Sequence, residues 1–259
     1  MRITWGIAIL LIGISLILGV YVSRTTAPTT PAPAAAPTPT LPTNEAKVHL
    51  EQGNIYLEQE QWNEAIAEYT KAIELGSRDY TGLAEAYFGR GYFSFEPWQP
   101  DKAAADFTKA IWLDPNEAKY HYYRGETYYQ LADYYNSAGR VHEERESNNK
   151  AIADYTKAIE LGFKNAETYN RRGNCYAANG DYHRAIIDYS RVLELGMDRF
   201  NIVYLNRAIA YASLGNDDEA LADYRKALTL TEDARTKEQI LPSIKELEAK
   251  IEAMDDDFY

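Results

Sequence analysis

The twelve residues AIADYTKAIELG at 151–162 restate AIAEYTKAIELG at 65–76, with Asp154 in place of Glu68 as the one change. Related phrases stand at 103–114 (AAADFTKAIWLD), 185–196 (AIIDYSRVLELG) and 220–231 (ALADYRKALTLT). Successive starts lie 38, 48, 34 and 35 residues apart, so a unit of 34 residues with occasional insertions accounts for all four spacings. Within each phrase the apolar residues fall at helical intervals, as in Ala65, Ile66, Tyr69, Ala72 and Ile73, which predicts an amphipathic helix. A second helical phrase precedes each one: VHLEQGNIY, AYFGRGYFS, YHYYRGETY, TYNRRGNCY and VYLNRAIAY. Two helices per unit, repeated, predict a stack of helical hairpins sharing one core.

These units resemble the tetratricopeptide repeat, a 34-residue hairpin with a large residue at position 4, a small one at 8, aromatics at 11 and 24, and alanine at 20 and 27. The fourth unit supplies Tyr169, Gly173, Tyr176, Ala185, Tyr189 and Val192. The first supplies His49, Gly53, Tyr56, Ala65, Tyr69 and Ala72, the third His121, Gly125, Tyr128, Ala151, Tyr155 and Ala158. Tyr204, Ala208, Tyr211, Ala220, Tyr224 and Ala227 complete the fifth. The second departs at position 11, where Ser94 stands, yet keeps Tyr87, Gly91, Ala103, Phe107 and Ala110. The resemblance implies an all-α, right-handed superhelical solenoid with units at 46–79, 84–117, 118–165, 166–199 and 201–233. The third unit carries a 14-residue insertion around DYYNSAGRVHEERESNN, expected to lengthen both of its helices. Residues 234–254 read as a terminal capping helix, with a break expected near Pro242, and 255–259 as an acidic tail.

The chain in front of the repeats is of another kind. Residues 3–22, ITWGIAILLIGISLILGVYV, carry no charge. As a helix they would reach about 30 Å, the thickness of a bilayer core, so they predict a transmembrane anchor. A cleaved signal peptide is the rival reading, with its shorter apolar run and small-x-small exit, whereas this run leaves through GVYVSRT. Arg2 against Arg24 favours an inside-N, outside-C orientation, which would place the repeats outside the cytoplasm. Residues 25–44 hold six of the ten prolines and no charge, the composition of an extended stalk.

Composition narrows the function. Beyond residue 44 stand 25 cationic and 39 anionic side chains, a net of −14, so nucleic acid is not an expected partner. One cysteine, Cys175, and four histidines without metal-binding spacing predict neither disulfide nor metal site, and no cofactor motif occurs. His49 and His121 fill position 4, where other units have tyrosine, and Cys175 at position 10 reads as a buried apolar residue. The arginines at position 7, Arg90, Arg124, Arg172 and Arg207, read as struts that bridge helices and pair with carboxylates. A hydrolytic role for His142 with neighbouring glutamates has no recurring geometry behind it, and the chain reads as a non-enzyme.

In the family, the first helices line a concave groove through positions 2, 5, 6, 9, 12 and 13. Carried onto this sequence, those positions select Leu50 and Asn54, then Phe88, Tyr92 and Phe95, then Tyr122, Glu126 and Tyr129, with Tyr123 among them. They continue through Asn170, Arg171 and Asn174 to Leu205 and Asn206, beside Ile209. Rings offer rigid apolar area and amides can bond a peptide backbone, so the groove is expected to hold a peptide or helix of a protein partner. The alternative is a structural subunit of a membrane or envelope complex, oligomerising through repeat edges or the long third hairpin.

Overall fold

Each amphipathic phrase becomes the second helix of a hairpin in the computed structural model, which describes residues 43–95 and 98–256. The five hairpins are α1 (Asn44–Glu58) with α2 (Trp62–Glu74), α3 (Thr81–Phe95) with α4 (Pro100–Leu113), α5 (Ala118–Ser137) with α6 (Val141–Glu160), α7 (Ala166–Ala178) with α8 (Tyr182–Val192), and α9 (Asn201–Ser213) with α10 (Asp217–Leu230). A last helix, α11 (Ala234–Asp256), lies against α10. No strand occurs among the described residues. The anchor expected at 3–22 and most of the stalk expected at 25–44 lie outside the described residues, and no described helix is long and apolar enough to cross a membrane.

The small residues at position 8 are needed by the aromatics at position 24. A Cβ added to Gly53, Gly125 or Gly173 would come within 3.0 Å of the ring of Tyr69, Tyr155 or Tyr189. Those rings are fully buried, flanked at positions 20 and 27 by small residues that are themselves buried, alanine throughout except for Val192 beside Tyr189. Helices can close on one another here because one side contributes almost no volume.

Between the helices of every hairpin the backbone crosses into the left-handed region. Gly139, Gly180 and Gly215 make that turn at φ 69°, 81° and 77°, whereas Glu60 at 57° and Trp98 at 54° make it with side chains that disfavour it.

Successive hairpins are fastened by the arginine series. Arg124, Arg172 and Arg207 each place Nε and Nη2 on both oxygens of an aspartate in their own hairpin, Asp154, Asp188 and Asp223. The remaining Nη1 donates to a hydroxyl of the hairpin before: Thr108 at 3.1 Å, Thr156 at 3.1 Å and Ser190 at 2.9 Å. Arg90 grips Asp106 in the same way, but its Nη1 reaches Asn63 Oδ1 at the start of α2. The first hairpin has no such arginine; there His49 Nδ1 meets Glu68 Oε2 at 2.6 Å.

The insertion in the third hairpin is absorbed as helix: α5 and α6 are 20 residues each, against 11–15 for their counterparts. At the other end Ile240, Ile244 and Leu247 of α11 close the core left by Ala208, Leu221, Tyr224 and Ala227. Pro242 does not break α11, which is one continuous helix with that proline inside it.

Candidate interaction surface

Successive first helices touch directly, α1 with α3, α3 with α5, α5 with α7 and α7 with α9, while successive second helices make no comparable contact among the described residues. The first helices therefore form the inner side of the stack.

At the N-terminal end of this inner face the rings form one cluster. Phe88 packs on Tyr120 and Tyr123, both at 5.3 Å between centroids, and Tyr92 stands edge-on to Tyr123 at 5.2 Å. Tyr92 remains 45% exposed and Phe93 beside it 68%. Phe95 ends α3, and its side chain lies outside what the structure describes.

Two residues expected in the groove belong to the core. Tyr122 is 7% exposed because Phe163, from the loop after α6, folds back over it at 4.7 Å between centroids. Glu126 is equally covered, accepting a hydrogen bond from the Tyr155 hydroxyl at 2.5 Å. Burial pushes its carboxyl above the ordinary range, against the opposing pull of that hydroxyl and of Arg171.

The amides are also engaged within the molecule. Asn54 Oδ1 accepts from Tyr69 at 2.7 Å, and Asn174 Oδ1 accepts from Tyr189 at 3.0 Å and from Asn206 Nδ2 at 3.3 Å. Asn174 Nδ2 in turn donates to the Tyr129 hydroxyl at 3.4 Å. In the first, third and fourth hairpins position 9 thus serves the tyrosine hydroxyl at position 24, with Asn54, Glu126 and Asn174 as acceptors, whereas in the fifth Ile209 offers Tyr224 none. Where position 24 is Phe107, no acceptor is needed and position 9 is Tyr92.

Arg171 lies over the Tyr129 ring at 4.9 Å and between Glu126 and Glu167 at 3.3 and 3.4 Å. Its Nε is within ion-pair range of Glu126 yet makes no aligned hydrogen bond, and Asn170 Oδ1 is likewise buried without one. Leu205 packs against the terminal core, while Ile202 and Ile209 stay exposed at the C-terminal end.

One feature falls outside the expected positions. An apolar notch of about 420 Å³ opens between the first two hairpins, lined by Leu57, Trp62, Phe88, Gly89, Tyr92 and Phe93, with Glu60 and Glu85 at its edge. Trp62 and Phe93 sit at positions 17 and 10, which the groove pattern does not include. The signal was Gly89: a Cβ there would meet three Trp62 ring atoms within 2.8 Å, so the indole lies directly on the backbone of α3.

Two other residues singled out by chemistry, His121 and Cys175, lie in the core. His121 places Nε2 3.1 Å from the Pro115 carbonyl and Nδ1 3.4 Å from Asp154, and Cys175 is fully buried, its thiol pushed up by that burial. His142 is exposed, and no cluster of three metal-ligating side chains occurs among the described residues.

Three family models, each described as tetratricopeptide repeat, match residues 46–79, 132–164 and 165–236. Among solved structures the chain is similar to YrrB, described as a protein of this repeat type with an unusual peptide-binding site. That likeness has a TM-score of 0.55 and 23% identity over 74% of this chain and 89% of YrrB. MamA is similar at a TM-score of 0.51 and 22% identity, over 72% of this chain and 91% of MamA. A MamA structure from AMB-1 gives 0.53 and 18%, over 76% and 97%. The chain has no match among curated proteins. At these identities the structural likeness speaks for the fold alone. The repeat matches together span more than half of the sequence, and the chain belongs to the tetratricopeptide-repeat family.

Proposed function

We propose that this protein is a membrane-tethered, non-catalytic scaffold whose inner face binds a peptide or helix of a protein partner. The observation that carries the reading is the exposed apolar side chains on that face, Tyr92 at one end and Ile202 and Ile209 at the other. The amides contribute less to such binding than their number suggests, because Asn54 and Asn174 already accept tyrosine hydroxyls. The tether rests on the uncharged run at 3–22, and reporter fusions at Thr43 test its orientation: an extracytoplasmic signal is expected.

The test of binding is co-purification from native membranes with the double variant Tyr92→Asp, Ile209→Asp, set against Ile187→Asp on α8, which is exposed on a second helix. Loss of partners in the double variant alone supports the inner face. Loss with Ile187→Asp alone moves the site to the outer one.

A second reading, assembly through the third hairpin, is favoured by its exposed Tyr134 and Val141. A concentration-dependent oligomer that Tyr134→Asp with Val141→Asp dissolves, with partner capture unchanged, would make that reading the better one.

A further inference from the structure

The notch between the first two hairpins is a built cavity with a charged edge. Its floor is the Trp62 indole seated on Gly89, and its walls are Leu57, Phe88, Tyr92 and Phe93. The neighbouring cavity on the far side of Trp62 and Phe93 is different in kind. It shares Glu60 with the notch, but its other walls are mostly polar, among them Glu64, Lys102 and the Arg90–Asp106 pair, in which each guanidinium nitrogen already donates a hydrogen bond.

Charge distinguishes the notch further. From residue 48 to residue 70 the chain has five glutamates, Glu51, Glu58, Glu60, Glu64 and Glu68, and no lysine or arginine. Among the described residues only Glu68 has an ion-pair partner, His49. Glu85, on the opposite edge, is held by Lys119 at 2.7 Å and by the Tyr120 hydroxyl at 2.9 Å. Among the described residues Glu60 is thus the carboxylate at the notch without an ion-pair partner. It also stands at the left-handed turn position where three of the five hairpins use glycine, so the backbone alone gives no reason for a glutamate.

We propose that the notch is the anchor site for a cationic segment of the partner, with an aromatic or leucine side chain filling the cavity and a nearby lysine or arginine meeting Glu60. This rests on the inner-face reading above and names the chemistry of its ligand. An apolar anchor in a preformed pocket supplies the affinity, and the anionic first hairpin selects and steers the cation.

The experiment selects binders from a displayed library of random 12-residue peptides on the full-length chain in detergent micelles, then measures labelled winners by fluorescence anisotropy. Winners are expected to carry an aromatic residue or leucine with lysine or arginine within four positions. Glu60→Lys and Phe93→Ser should each weaken them at least tenfold, and raised salt should weaken them too. Glu60→Gly separates function from architecture: it should raise the Tm by relieving the turn while lowering peptide affinity severalfold. Acidic or anchor-free winners overturn the proposal. So do winners that ignore Glu60→Lys and Phe93→Ser but are lost with Ile209→Asp, although those leave the inner-face reading standing. Winners indifferent to all three variants, or a library that yields none, count against both.

Discussion

Arg172 on α7 and Asp188 on α8 meet as a fork on a carboxylate, Nε on Oδ2 at 2.8 Å and Nη2 on Oδ1 at 2.7 Å. Asp188 is 2% exposed, so removing its partner strands a buried charge. Arg172→Ala is expected to lower stability by about 3–5 kcal/mol, and Arg172→Lys to recover only part, because an ammonium cannot span both oxygens. Urea denaturation of the two variants checks the order. Equal losses would show that the fork geometry adds nothing beyond charge.

The hairpin turns give a prediction of opposite sign to the gain expected for Glu60→Gly. Gly180 has φ 81° with open space around it, so an alanine there meets no clash and feels only the backbone. Gly180→Ala should cost about 1–2 kcal/mol. A thermal melt showing no loss would mean that the turn relaxes out of the left-handed region.

Glu126 sets a pH dependence. Its carboxyl is raised from the ordinary 4.5 by burial, so the folded state holds that proton more tightly than the unfolded chain. Stability from this group is therefore greatest at low pH and declines as pH rises from the ordinary carboxylate range through the raised folded value. Glu126→Gln, which keeps an oxygen for the Tyr155 hydroxyl, should flatten that decline and be the more stable form at neutral pH. Parallel melts of both proteins across pH 4 to 8, the range about these carboxylate values, decide it.

At the C-terminal end, Ile240 has no exposure and seals α10. Ile240→Ala should cost about 2–5 kcal/mol through the cavity it leaves. Because stacked repeats need a closed end, it should also increase dye binding to exposed apolar surface before global unfolding. A single melt with no such early rise would show the cap to be no weaker than the stack.

The hairpins were legible because each repeats the same packing requirement at positions 8, 20, 24 and 27, and a requirement met five times leaves a period. Half of the fastening was legible for the same reason: the arginines recur, and so do their aspartates, although the hydroxyl of the preceding hairpin has to be seen in space. The groove was harder. Tyr122 occupies a groove position, but Phe163, about forty residues later, decides its burial, and no period couples the two. Trp62 lies on the backbone of α3 because glycine stands at 89, and with Phe93 it lines the notch, an arrangement that belongs to this one junction.

That junction differs in another respect. From the second hairpin to the fifth, one side-chain length measures every step: arginine at position 7 spans from its own aspartate to a hydroxyl at position 25 of the hairpin before. The same ruler recurs at three successive steps. Between the first and second hairpins Arg90 is laid instead against Asn63, one end of α2 rather than its middle. The stack therefore has a single step of its own gauge, and the notch opens at that step.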